Sequence, residues 1–170
     1  MTFFDECAMA IKNIPDKEYN KFKNTYSNSS NVILLGNGGS NAVAAHIAQD
    51  MTKRGGKRGL SFTDSSMLTC FINDYGMDSA YRQFLEFFAD RDTFVILISS
   101  SGNSNNLVNC VLWCENNNIP YGILTAFDQN NSMRMASRNA VFNYYIDTQS
   151  YGVAECVHQI FLHGVVECDG

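Results

Sequence analysis

Two short stretches, Val32–Leu35 and Phe94–Ile98, are apolar at every position. They are too short for helices and rich in β-branched side chains, so they read as strands buried on both faces, as in a parallel sheet. Tyr121–Thr125, after Pro120, reads as a third strand, and Lys57–Phe62 as a weaker one. Ala140–Ile146 mixes apolar with polar positions, which predicts an edge strand. Between these runs the apolar residues recur at helical spacing. Ala42–Met51, Ser79–Ala89 (Tyr81, Phe84, Leu85, Phe88), 104–117 (Leu107, Val108, Val111, Leu112) and Val153–Val166, capped near Ser150, are predicted helices. Asn131–Ser137 predicts a short helix, Ser65–Ile72 one or two helical turns, and Asn73–Gly76 a polar turn.

Before the first strand, Phe3, Phe4, Cys7, Ala8 and Ile11 fall on one side of a helix over 2–13; Pro15 ends it, and Asp16–Tyr26 predicts a second, polar helix. Residues 1–30 have too few apolar positions to be a domain, so their stripe must pack on the main body or on a neighbouring subunit. Through the rest of the chain strand and helix alternate. That order predicts an α/β fold: a doubly wound, mostly parallel five-stranded sheet with helices on both faces and right-handed crossovers, in one domain over 1–170.

In such sheets ligands bind beyond the carboxyl ends of the strands, near a reversal of strand order. Two polar loops fall there: Gly36-Asn37-Gly38-Gly39-Ser40 after the first strand, and Ser99-Ser100-Ser101-Gly102-Asn103-Ser104 after the central one. Free backbone N–H groups at a helix start, surrounded by short hydroxyls, suit an anionic group such as phosphate. Capping a helix needs one hydroxyl, and the second loop offers four. The first loop departs from the dinucleotide pattern, with Asn41 where a third glycine is required and Asp64 too distant for a ribose-binding acid.

Composition changes this picture little. A net charge of −5 over 170 residues gives no electrostatic case for nucleic acid. No apolar run approaches membrane-spanning length and no signal-peptide pattern opens the chain. Six cysteines form no C-x-x-C pair and no disulfide framework, so a reducing, cytoplasmic setting is expected.

The three histidines carry more information. His46 and Asp50 lie one turn apart on the helix that leaves the first loop, and Glu155, His158 and His163 share the closing helix. Such residues suit a metal site or an acid–base pair as well as a plain ion pair.

Taken in order, the Gly36–Ser40 loop, His46 with Asp50, Asn73-Asp74-Tyr75-Gly76, the Ser99–Ser104 loop and the Glu155…His163 helix resemble the bacterial phosphoheptose isomerases. These form the sedoheptulose 7-phosphate isomerase branch of the sugar isomerase (SIS) domain family. The resemblance runs from about residue 2 to residue 166 and implies a flavodoxin-like SIS fold. It also implies an aldose–ketose isomerase that makes D-glycero-D-manno-heptose 7-phosphate, a heptose precursor, in a homotetramer with sites built between subunits. Asn37, Gly38, Gly39, Ser40, Asn73, Asp74 and Glu155 would contact the substrate, and Ser99, Ser100, Ser101 and Ser104 would hold its phosphate. His46, Asp50, Glu155 and His163 fall at zinc-ligand positions, one zinc per subunit, with Asp50 and His163 as catalytic groups. Two positions depart from the family, which usually has Glu at Asp50 and often Gln at Glu155. The alternatives are a non-catalytic SIS module binding a protein such as a replication initiator, and an isomerase of another phosphosugar.

Glu155 and His163 are eight apart, about 12 Å of rise on a straight helix, too far to share one zinc with arms of about 2.0–2.2 Å. Residue 155 then precedes the regular helix, or two subunits share the site, or His158 replaces one of the pair.

Overall fold

The computed structural model describes residues 1–168. The elements are α1 (Phe3–Lys12), α2 (Asp16–Asn28), β1 (Asn31–Gly36), α3 (Gly39–Lys53), β2 (Arg58–Ser61), α4 (Ser65–Tyr75) and α5 (Met77–Phe88). They continue as β3 (Thr93–Ser99), α6 (Asn105–Asn117), β4 (Tyr121–Ala126), α7 (Ser132–Ala136), β5 (Phe142–Ile146) and α8 (Tyr151–Cys168). The strands form one sheet in the order β2-β1-β3-β4-β5. All four pairings are parallel, so the expectation of a mostly parallel sheet resolves to a wholly parallel one in flavodoxin-like order.

Every residue of β3 is buried, as its unbroken apolar run requires in a sheet covered twice. Its side chains alternate. Phe94, Ile96 and Ile98 face the layer built from α2, α3 and α8, while Val95 and Leu97 face α5 and α6. β5 lies at the edge as its mixed pattern predicts, and its pattern of burial alternates. That edge is guarded: the Asn143 N–H donates to Glu18 Oε2 at 2.8 Å, which blunts an otherwise open ladder.

The opening segment packs on the body. Phe22 of α2 is fully buried among Phe94, Phe142 and Phe161, with ring centroids 5.0–6.0 Å away. α1 rests on α8 without burying any residue; Phe4 is 79% exposed. One expectation is corrected. Asn73-Asp74-Tyr75 is not a turn but the last turn of α4, and the bend is made at Gly76 alone, at φ +78. The polar run reads as a turn because all three side chains lie on an exposed helix face. At the other end of the chain, Ser150 caps α8 as expected, its Oγ accepting from the Val153 N–H at 3.3 Å.

His158 belongs to this framework. It is fully buried, its Nε2 lies 3.3 Å from the Thr125 carbonyl, and its ring meets Tyr144. Burial pushes its pKa down to about 4 against the hydrogen bond to Thr125. Between about pH 6.5 and 4 the unfolded chain therefore binds a proton that the folded chain excludes, and stability falls as pH falls through that window. By linkage the loss approaches roughly 3 kcal/mol. Denaturant titrations at pH 7 and pH 4.5 should show the wild type losing more stability than His158→Gln; equal losses would show that another group titrates.

Candidate active site

β1 and β3 are neighbours, and the chain winds outward from them in opposite directions, so strand order reverses between them. A cleft opens at that point, where both strands end and α3 and α6 begin. Asn37, Gly38, Gly39 and Ser40 line one side, Ser99, Ser100, Ser101 and Ser104 the other, with Ile98, Tyr151 and Glu155, around about 260 Å³ of space. The two loops read from the sequence thus converge, joined by the start of α8.

Local geometry shows how the cleft is held. Gly38 sits at φ +55 before α3, a conformation that favours glycine, and no side chain caps that helix. Ser104 precedes α6 and makes no side-chain cap either, so its hydroxyl is not spent on capping. The four hydroxyls are not equivalent. Ser99 Oγ accepts from the Gly102 N–H at 3.1 Å and Ser101 Oγ from the Asn103 N–H at 3.3 Å, which shapes the loop. Ser100 Oγ is buried without a protein partner. α7 braces the loop from outside, through the Met133 N–H on the Gly102 carbonyl at 2.8 Å and the Ser132 N–H on Asn103 Oδ1 at 2.9 Å.

Among the described residues, no lysine or arginine lines the cleft. What it offers an anion is hydroxyls and the positive ends of α3 and α6. Glu155 lies against α3: a Cβ on Gly39 would stand 2.3 Å from its Oε1, so a side chain at position 39 would push the Glu155 carboxylate out of this place. A carboxylate is favoured at that helix end by the dipole.

The second cluster lies further along the same two helices. Asp50 Oδ2 is 3.4 Å from His46 Nε2 and 3.7 Å from His163 Nδ1. Asp50 is buried, His163 half-buried and His46 exposed. The three ligand atoms lie within 4.8 Å of one another. A tetrahedron with arms of about 2.1 Å has edges of about 3.4 Å, so the donor set and the two Asp50 distances fit a zinc ion.

Within one chain the structure brings together three of the four residues expected at the metal. Glu155 stands apart at the cleft, two turns up a helix that already begins at Tyr151. Residue 155 therefore does not precede the helix. His158 does not substitute either, since it turns into the core toward Thr125. Asn73 and Asp74 are exposed on α4, bonded to each other at 2.9 Å, and do not line the cleft. On α3, His46 lies seven residues beyond Gly39 and Asp50 eleven, about 10 and 16 Å of rise.

No family model matches the chain. Phosphoheptose isomerase of Aliarcobacter butzleri is 40% identical over 93 residues, a segment covering 51% of this chain and 49% of that protein. The chain thus spans about half the length of the curated relatives it matches. Over the whole chain, the structure of phosphoheptose isomerase from Neisseria gonorrhoeae superposes with a TM-score of 0.89 at 22% identity, covering 99% of this chain and 93% of that one. The two share one fold, a wholly parallel five-stranded sheet covered by helices on both faces. The same fold, at TM-score 0.69 and 14% identity, covers 98% of this chain and 87% of the sugar isomerase domain of the RpiR transcription factor from Sphaerobacter thermophilus.

Two residues that hold the cleft in shape were missed by pattern and spacing. Asn106 is buried in the first turn of α6, and its amide pairs reciprocally with Asn37 across the cleft at 3.0 and 2.9 Å. Tyr81 donates to the Gly36 carbonyl at 3.1 Å, fixing the end of β1. Asn106 reads from the sequence as a helix residue of no special kind, because only the sheet order brings it opposite Asn37. Asn106→Ala removes both amide bonds and should cost about 1–3 kcal/mol of stability, measured by urea denaturation. An unchanged midpoint would show that the pair is not formed in solution.

Proposed function

We propose that the protein is a ketose–aldose isomerase of a phosphorylated sugar, interconverting sedoheptulose 7-phosphate and D-glycero-D-manno-heptose 7-phosphate. The observation that carries this reading is the convergence of His46, Asp50 and His163 on α3 and α8, whose first turns line the same cleft as the serine loop. A binding module needs the cleft; it does not need a carboxylate with two imidazoles around it. The similarity to phosphoheptose isomerases supports the seven-carbon substrate. The RpiR domain has the same fold in a transcription factor, so the fold by itself does not decide.

In this reading the phosphate docks over Ser100, Ser101 and Ser104 and the start of α6, with binding energy used for orientation. Asp50 removes a proton from C1 of the ketose and returns it to C2, while His163 moves a proton between the oxygens on C1 and C2. Both short contacts of Asp50 are made by Oδ2, which leaves Oδ1 for the carbon-bound proton. His46, Asp50 and His163 would hold a zinc ion. When bound, it would supply Lewis-acid polarisation of the substrate carbonyl.

The distance between cleft and cluster along α3 favours an assembly in which one copy supplies the cleft and another the cluster, and we assign a homotetramer. The exposed Phe4 and Met9 on α1 support it as a docking face. The cytoplasm is the setting we assign. Five of the cysteines are free, and among the described residues no helix is long and apolar enough to cross a membrane.

The test is conversion of sedoheptulose 7-phosphate by purified protein, with and without zinc. Asp50→Asn should lower turnover by roughly 10²–10⁴-fold and reduce bound zinc, while Asp50→Glu should retain activity. An Asp50→Asn protein with normal turnover and normal zinc content would refute both roles. Sedimentation at micromolar concentration should show a tetramer; a fully active monomer would rule out sites shared between copies.

A further inference from the structure

The backbone after β4 takes an unusual course. Phe127 lies at φ +64, a conformation that is a genuine outlier for a bulky side chain and persists only where its surroundings over-determine it. Here they do. The Phe127 N–H donates to the Thr148 carbonyl at 3.2 Å. Its own carbonyl accepts from Tyr145 Oη at 3.2 Å and from Gln149 Nε2 at 2.9 Å. The turn holds the Phe127 ring against Tyr151, edge to face, with centroids 4.7 Å apart and planes at 89°. Tyr151 is the first residue of α8, lines the cleft one turn above Glu155, and remains 62% exposed.

A large aromatic ring left open to solvent at the rim of a polar cleft, and fixed there by a strained neighbour, is built to meet a ligand. The cleft below it serves an anion through hydroxyls and helix ends; apart from the buried Ile98, the only apolar surface, and the only flat one, that its lining offers the rest of a substrate is this ring. A sugar presents such a partner: the C–H face of a carbon chain or ring lies on an aromatic face, while the phenol can exchange hydrogen bonds with hydroxyls. We propose that Tyr151, buttressed by Phe127, is a sugar-contacting residue that distinguishes a phosphosugar from a bare phosphate. The proposal rests on the reading of the cleft as a sugar-phosphate site.

Calorimetric titration of the full-length protein with sedoheptulose 7-phosphate and, separately, with inorganic phosphate tests both. Tyr151→Ala should weaken the sugar phosphate by about 5- to 10-fold, the size of a lost aromatic contact, and leave inorganic phosphate within about twofold. Tyr151→Phe keeps the ring and should stay within about threefold of wild type for both ligands. Phe127→Ala should reproduce part of the Tyr151→Ala loss for the sugar phosphate alone. Wild-type affinities in Tyr151→Ala, or equal losses for both ligands, would overturn the assignment of Tyr151 while leaving the cleft intact. A wild-type protein that binds inorganic phosphate and not the sugar phosphate would overturn the reading of the cleft, and this assignment with it.

Discussion

The parallel ladder between β1 and β3 is the constraint on which the rest depends. It runs from Asn31 opposite Thr93 to Gly36 opposite Ile98, so the two strands finish side by side. A parallel sheet sends both chains out at the same end, and the reversal of strand order sends them to opposite faces. The gap that results places the start of α3 beside the start of α6. The Asn37–Asn106 amide pair closes the base of that gap, and Tyr81 fixes its first strand. The buried aliphatic residues below supply the stiffness: β1 and β3 are packed on both faces, and neither can shift without moving the whole layer.

In the proposed reading the cleft binds an anion without a cation. Among the described residues, its lining has hydroxyls, glycines and one carboxylate, but no lysine or arginine. Such a site depends on orientation, because a helix dipole acts only near the end of its own axis. That explains the effort spent on loop shape. Gly38 and Gly102 adopt positive φ, Ser99 and Ser101 accept bonds from their own loop, and α7 braces it from behind. A charged side chain could reach a phosphate from many positions; a backbone N–H reaches it from one.

α3 and α8 carry two separate groups along one contact. Glu155 meets Gly39 at the cleft, and His163 meets Asp50 and His46 further down. Since both helices begin at the cleft, the spacing along them turns sequence distance directly into depth below it. The buried His158 between Glu155 and His163 faces the sheet and serves the core. One helix thus presents an acid to the cleft, a neutral imidazole to the interior and a third side chain to the acid–imidazole cluster.

The sequence by itself determined the alternation of strands and helices, the buried central strand, the edge position of the last strand and the two polar loops. These follow from local pattern: an unbroken apolar run can only be covered twice, and a glycine–serine run between strand and helix can only be a turn with free donors. It also singled out His46, Asp50, Glu155, His158 and His163, because histidine is rare here and the acids lie near it on the same helices. Tertiary structure decided what depends on distance across the fold. It sent His158 inward, kept Glu155 from the His46–Asp50–His163 cluster, and made Asn73-Asp74 a helix end instead of a turn. It also gave Asn106 and Tyr151 their places at the cleft. None of these had a local signal, since a helix residue's partner is set by which element packs against it, and that was fixed by the order of strands in the sheet.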